Sequence, residues 1–301
     1  MTSLAASPSR PSSVQVWLST LRIPTLPAAV SPVVVGTAVA WRDGVSDFRI
    51  AFAAAMGALF IQIGTNLFND YADFKKGADR EDRLGPARAT SKGWLTPRQV
   101  LAATVAAFAV ATVFGCFLLF FAGWPVVVIG VASILCGIAY TGGPRPLAYV
   151  GLGDVFVFLF FGLVAVVGTY FVQSGTLSPS AFAAAVPIGL ITTAVLVVNN
   201  LRDRFTDAQS NKRTLAVRFG ERFTRIQYAV LIVGAYASVA ITYLLGVHGA
   251  GWGWVILSLP LAVLRLRALQ TLDGAALNPE LGNTSKLGLL FGALLALGAV
   301  L

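Results

Sequence analysis

Residues 51–73 read AFAAAMGALFIQIGTNLFNDYAD, and residues 74–88 continue FKKGADREDRLGPAR. The first part is apolar over a length that crosses a bilayer as one helix. Its last turns nevertheless carry Asn66, Asn69, Asp70 and Asp73, and a loop dense in both signs of charge follows at once. A carboxylate near a membrane interior is costly, about 2.5–3.5 kcal/mol at the helix centre on insertion scales. It persists where it faces a cavity, a partner or a bound ion, so this stretch bears on both fold and chemistry.

The rest of the chain places the helix among others like it. The 301 residues are 56% hydrophobic and 12% charged, against about 25% charged in a soluble domain. Apolar stretches recur at roughly 24–41, 50–73, 99–121, 124–141, 152–172, 181–201, 225–246, 251–270 and 286–301. They predict an all-α, polytopic membrane bundle of about nine transmembrane helices. Alternating ten-residue segments of a transmembrane barrel are absent. Residues 1–23 contain Pro, Ser and two Arg but no long apolar core, so they read as a cytoplasmic segment and not as a cleaved secretory signal. Residues 24–301 read as a single transmembrane domain.

The formal net charge of +9 has a topological explanation. With the N-terminus in the cytoplasm, 20 of the 22 Lys and Arg fall on that side, and only Arg42 and Arg49 fall on the other. This is the positive-inside pattern, and it removes the need for a nucleic-acid partner. The expected setting is a prokaryotic inner membrane, with the two long charged loops, roughly 74–98 and 202–224, facing the cytoplasm. Cys116 and Cys136 fall inside spans and read as small core residues. The one histidine, His248, lies in a short outer loop and reads as a loop residue. Histidine metal sites and Ser-His or Cys-His catalysis are thereby disfavoured.

The two charged loops echo each other. Asn69-x3-Asp73 recurs 130 residues later as Asn199-x3-Asp203, at the ends of two spans of the same orientation. This predicts two pseudo-repeated four-helix halves plus one further helix. Gln62, Asn66, Asn69, Asp70 and Asp73 fall within one helical stripe about 100° wide. Asn199, Asp203 and Asp207 follow i, i+4, i+8 spacing on the second helix. Taken singly, any of these residues could be a helix cap or a solvated loop charge. Repeated on two spans, they are the oxygen donors that a hard divalent cation such as Mg²⁺ prefers, shared with phosphate oxygens.

Basic residues supply the complement. Arg83, Arg88, Lys212 and Arg213 sit among prolines, glycines and Thr214 and are the candidate phosphate clamps. The connection YTGGPRPLAYVGLGD (Tyr140 to Asp154) contributes Arg145, its only base. Asp154 reads as a helix cap or as an aid in proton removal.

These motifs resemble those of the UbiA-type membrane prenyltransferases, which carry NDxxDxxxD after the second span and DxxxD after the sixth. Here they read NDYADFKKG and DRFTD. NLFNDYADFKKGADREDRLGPAR, YTGGPRPLAYVGLGD, LRIPTLPAAVSPVVVGTAVA and KRTLAVRFG are similar to the branch that acts on 1,4-dihydroxy-2-naphthoate. The likeness runs from about Leu21 to Gly220 and is weak beyond. Two positions depart from it: the third acidic position falls on Gly77, with Asp79 the nearby substitute, and Ile23 stands where a proline is expected after the arginine.

The resemblance implies a polyprenyl diphosphate donor, 1,4-dihydroxy-2-naphthoate as acceptor, loss of CO₂, and demethylmenaquinol as product. It assigns Mg²⁺ to Asp70, Asp73, Asp79, Asp203 and Asp207, with Asn69 and Asn199 beside them. Asn66, Arg83, Arg88, Tyr140, Arg145, Lys212 and Arg213 would then bind substrate. Other acceptors (4-hydroxybenzoate, homogentisate, chlorophyllide) and a terpene cyclase share the donor chemistry and stay open at this point. A cation-coupled transporter would place its ionisable residues near the membrane midplane, where this chain has almost none.

Overall fold

The computed structural model describes residues 11–77, 84–86 and 88–301. Among these, every regular element is helical and none is a strand. The first span is broken. Ser12 caps a short helix, α1 (Ser13–Leu21), through a capping box with Gln15, and Arg22 then turns left-handed at φ 55°. A tight turn at Ile23–Thr25 leads into α2 (Pro27–Arg42). α1 with its turn and α2 meet at 45°, because Pro24 and Pro27 start new helical segments instead of continuing the old one. Helical structure therefore begins well before residue 24, and α1 buries Val16 and Thr20.

The remaining spans follow the expected order. α3 (Phe48–Lys75) is capped by Asp47, and α4 (Pro97–Ala122) by a Thr96–Gln99 capping box. α5 (Pro125–Thr141) is an apolar helix of only 17 residues. α6 (Gly153–Ser174) is wound as a π-helix over Phe158–Val167. α7 (Pro179–Gln209) is followed by α8 (Leu215–Leu244), which is interrupted at Gly220, φ 79°. α9 (Ala250–Thr271) opens with a 3-10 stretch, and α10 (Gly274–Val300) ends the described chain. The α-helical part of α10 starts at Asn278, eight residues before the expected span, with Pro279 in its first turn.

Seven of these helices are long and apolar enough to cross a membrane, and the bent α1–α2 pair makes an eighth. With the 17-residue α5, the total agrees with about nine. α3 packs chiefly on α4, and α7 chiefly on α8, so each motif helix leans on its successor in the same way.

α7 is the most buried span and α4 the least. The reason is composition: Ala183, Ala184, Ala185, Gly189 and Ala194 let neighbouring backbones come close. A Cβ on Gly162 of α6 would lie 2.8 Å from Gly189 Cα and 2.9 Å from the Ala185 carbonyl. Gly251 of α9 meets the Gly298 carbonyl of α10 just as tightly. The main core is built from α2, α6, α7, α8, α9 and α10. The α3–α6 side instead encloses a cavity.

His248 is not a free loop residue. It is buried, its ring stacks on Trp252 at 4.0 Å, and its Nε2 lies 3.0 Å from the Val239 carbonyl. Asp154 does not cap α6 either: Leu152 holds the cap position. The Asp154 carboxylate accepts from Gln227 Nε2 at 2.9 Å, tying α6 to α8.

Candidate active site

The two motif helices end around one cavity of about 530 Å³. Asn66, Asn69 and Asp73 line it from α3, and Asn199, Asp203 and Asp207 from α7. Helical spacing brings them there, since each set repeats at three or four residues along one face. Asp70 lies at the edge of the α3 stripe and does not join the lining. It is buried against Arg88, whose Nε is 3.3 Å away, and accepts from Thr90 Oγ1 at 3.3 Å.

Each carboxylate at the cavity mouth stands against a base of the chain. Asp73 Oδ2 is 2.7 Å from Arg88 Nη1, Asp203 Oδ2 is 2.6 Å from Arg202 Nη2, and Asp207 Oδ1 is 3.2 Å from Lys212 Nζ. Arg88 and Lys212 themselves line the cavity, as does Tyr140. Arg145 and Arg213 are exposed and outside the lining; Arg213 contributes only backbone, its N–H donating to the Tyr149 carbonyl at 3.0 Å. Asp79 and Arg83 lie outside the described residues.

The amides are structural as well as lining. Asn66 Nδ2 donates to the Leu21 carbonyl and to Thr25 Oγ1, at 3.2 and 3.1 Å, so it holds the bend of the first span. Asn69 Oδ1 accepts from Thr141 Oγ1 at 2.7 Å. Asn199 Oδ1 accepts from Arg202 Nη2 at 2.7 Å.

Three residues escaped the sequence reading. Tyr149 donates to Asp73 Oδ1 at 2.9 Å. Burial and the Asp73 charge push its phenol well above the ordinary value. Lys76 donates to the Thr141 carbonyl at 2.7 Å and rests 4.9 Å above the Tyr149 ring; burial lowers its ammonium, with Asp73 opposing. Arg22, left-handed at the bend, reaches the cavity and lies 3.8 Å from Asp70. Tyr149 sits in a stretch already singled out, but no periodicity places a loop tyrosine against a helix residue 76 positions away in sequence.

Below the polar mouth the lining turns apolar. It runs along α3 from Asp73 down to Ala54, about 28 Å at 1.5 Å per residue. Small residues such as Gly57, Gly130 and Gly137 leave the space, and Phe156, Phe160 and Phe161 of α6 wall one side. The π-helical turns lie here, in keeping with their frequent place at functional sites. Cys116 and Cys136 are free and line this cavity instead of filling a core.

Among the described residues, no three His, Cys, Asp or Glu side chains converge to hold a metal ion alone. The donors still suit a hard divalent cation shared with an anionic ligand. They are carboxylates and amides at one mouth, and Asp207 Oδ2 is buried with no hydrogen-bond partner among the described residues.

Comparison with known proteins agrees with this architecture. Residues 29–279 match the UbiA prenyltransferase family. The chain is 39% identical over 300 residues to the 1,4-dihydroxy-2-naphthoate octaprenyltransferase of Escherichia coli (strain K12), covering 96% of each chain. The apo structure of a UbiA homolog from Aeropyrum pernix K1 superposes with a TM-score of 0.69 at 13% identity, over 92% of this chain and 96% of that one. A UbiA homolog from Archaeoglobus fulgidus bound to DMAPP and Mg²⁺ gives 0.60 at 14% identity, over 93% and 99%. These two likenesses are of fold.

Proposed function

The chain belongs to the UbiA prenyltransferase family and is a multi-pass membrane prenyltransferase, and on that premise we propose its reaction. It moves a polyprenyl group from polyprenyl diphosphate to 1,4-dihydroxy-2-naphthoate, with Mg²⁺ at the diphosphate and release of CO₂, giving demethylmenaquinol. The observation that carries this reading is the cavity itself. Two acidic motifs meet at its mouth with Arg88 and Lys212 beside them, above an apolar chamber, mouth and chamber together running about 28 Å along α3. The naphthoate acceptor is favoured by the near-full-length likeness to the Escherichia coli enzyme.

Asp73, Asp203 and Asp207, with Asn69 and Asn199, would hold Mg²⁺ together with diphosphate oxygens. Bound there, the ion would neutralise charge on the departing diphosphate. Arg88 and Lys212 reach the same mouth and add fixed positive charge as the carbon–oxygen bond loosens. Asp70, buried against Arg88 and Arg22, keeps those guanidiniums in place. The prenyl tail lies in the apolar chamber, whose walls keep water from the allylic cation. A ring carbon of the acceptor attacks that cation, and loss of its carboxylate as CO₂ restores the aromatic ring. Tyr140, which also lines the cavity, would contact the acceptor. The motif end faces the cytoplasm of an inner membrane, with residues 24–301 forming one catalytic domain.

The test is a product assay on detergent-purified protein. Geranylgeranyl diphosphate is supplied with 1,4-dihydroxy-2-naphthoate and other aromatic acids, with and without Mg²⁺, and products are read by mass spectrometry. The expected product is a decarboxylated prenyl-naphthoquinol that requires Mg²⁺ and is lost in Asp73→Ala and Asp203→Ala. Prenylation of a different acid would keep the donor chemistry and overturn the acceptor.

A further inference from the structure

The second motif is held from behind by residues that never touch the cavity. Arg202 is buried, its side chain only 3% exposed, and all three guanidinium nitrogens are engaged. Nε and Nη2 donate to the two oxygens of Asp203 at 2.7 and 2.6 Å, and Nη2 also to Asn199 Oδ1 at 2.7 Å. Nη1 donates to Asn278 Oδ1 at 3.1 Å. Asn278, at the start of the last helix, completes the chain by donating from Nδ2 to the Leu84 carbonyl at 2.8 Å. Leu84 lies on the loop that brings Arg88 to Asp73. One asparagine thus joins three segments far apart in sequence: the first charged loop, the second motif and the connection before the last span.

The contrast with the other bases is informative. Arg88 and Lys212 line the cavity beside their carboxylates and can share them with a ligand. Arg202 and Asn278 are absent from the lining. A guanidinium fork fixed on its far side orients a carboxylate, whereas an ammonium would supply charge without that fork.

We propose that Asn278 and Arg202 are positioning residues, which fix Asn199 and Asp203 against the Arg88 loop so that the two motifs meet a diphosphate in register. The proposal deepens the function above and rests on its placing of the diphosphate at Asp203. Outer partners of metal- and anion-binding carboxylates characteristically change affinity by about 10–100-fold when removed. The family likeness, read from the motifs as weak beyond Gly220, reaches residue 279, and the last span would take part in the site through Asn278.

The test measures binding of inorganic pyrophosphate with Mg²⁺ to the purified full chain by calorimetry, alongside the kinetics. Asn278→Ala and Arg202→Lys are expected to weaken pyrophosphate binding by about tenfold and to raise KM for the prenyl diphosphate in step. KM for the aromatic acceptor should stay unchanged. Arg204→Lys is the control: Arg204 is a buried neighbour that faces Asp273 and Glu221 instead, so its change should lower Tm and leave pyrophosphate binding intact. If Arg202→Lys does not fold, Asn278→Ala decides alone, since it leaves the Arg202 bonds to Asp203 and Asn199 in place. Wild-type binding in Asn278→Ala overturns the proposal, provided Asp203→Asn loses binding. Wild-type binding in Asp203→Asn as well overturns instead the placing of the diphosphate.

Discussion

Tyr149 donates its phenolic hydrogen to Asp73 Oδ1 at 2.9 Å, while Arg88 holds the other oxygen of the same carboxylate at 2.7 Å. The connection between α5 and α6 is therefore part of the first motif, though it lies 76 residues further along the chain. Asp73 is aimed by two partners that approach from different segments.

Tyr149→Phe removes one of those partners and leaves the ring under Lys76. We expect kcat/KM for the prenyl diphosphate to fall by about tenfold, a loss near 1.4 kcal/mol, typical of one hydrogen bond to a charged group. The fold should be retained. Because burial and Asp73 raise the phenol's pKa, the protonated form is favoured in the folded chain. Its contribution is complete below the unfolded value of about 10 and lost only as pH rises through the folded one. A pH–rate profile of the wild type should show no basic limb from this group at or below about pH 9.

Lys212 and Arg145 make a paired prediction. Lys212 lines the cavity 3.2 Å from Asp207, whereas Arg145 is exposed and outside it. Lys212→Ala should raise KM for the prenyl diphosphate by about tenfold or more, as loss of a charge-assisted contact does. Arg145→Ala should leave it within about twofold, in keeping with an exposed charge. A large effect at Arg145 would mean that its loop moves over the mouth.

Gly130 lines the apolar chamber, and a Cβ built there meets nothing within 4 Å. Gly130→Phe should fold, because the side chain enters open space. It should also shorten the chamber. Competition between short and long prenyl diphosphates would show turnover of the long donor falling far more than that of the short one.

Gly162 offers no such room, with Gly189 Cα at 2.8 Å from an added Cβ. Gly162→Ala should destabilise the bundle by about 1–3 kcal/mol through overpacking, read as a lowered Tm in detergent. Unchanged Tm would mean that α6 and α7 slide apart at little cost.

Asp273 lies between α9 and α10, and the hydrogen bond from buried Arg204 holds its carboxyl below the ordinary range. The lowered pKa means that its stabilisation is present above the unfolded value of about 3.9 and is lost as pH falls through the folded one. Asp273 is partly exposed, so Asp273→Asn should cost about 1–2 kcal/mol near neutral pH, less than a fully buried pair. The variant's stability should also decline less steeply in acid than that of the wild type.

Much of this molecule was legible in the chain itself. Apolar length gave the spans, because a bilayer leaves the backbone no partner but its own helix. The i, i+3, i+4 spacing of Asn66, Asn69 and Asp73, and of Asn199, Asp203 and Asp207, gave the lining residues, because helical periodicity is local. Local rules also misplaced some residues. Asp70 belongs to the same stripe but, at its edge, turns to Arg88. The span from residue 24 proved to be preceded by a further helix, Ser13–Leu21, with Arg22 at the bend between them, since prolines at 24 and 27 start a new helical segment. His248 and Asp154 looked like loop and cap residues because their partners, Trp252 with the Val239 carbonyl and Gln227, are set by packing.

What only the tertiary structure decided is which charges meet. Local sequence cannot say that Arg88 answers Asp73, that Arg202 stands behind Asp203, or that Asn278 reaches Leu84 across the bundle. Those pairings depend on how whole helices cross, and crossing is fixed by small contacts such as Gly162 on Gly189. Sequence by itself determined the helices, their stripes and the kind of chemistry those stripes can hold, since these follow from backbone geometry and solvation at each residue. The depth of the chamber and the register of the two motifs arise from the packing of many helices at once, and no single stretch of the chain contains them.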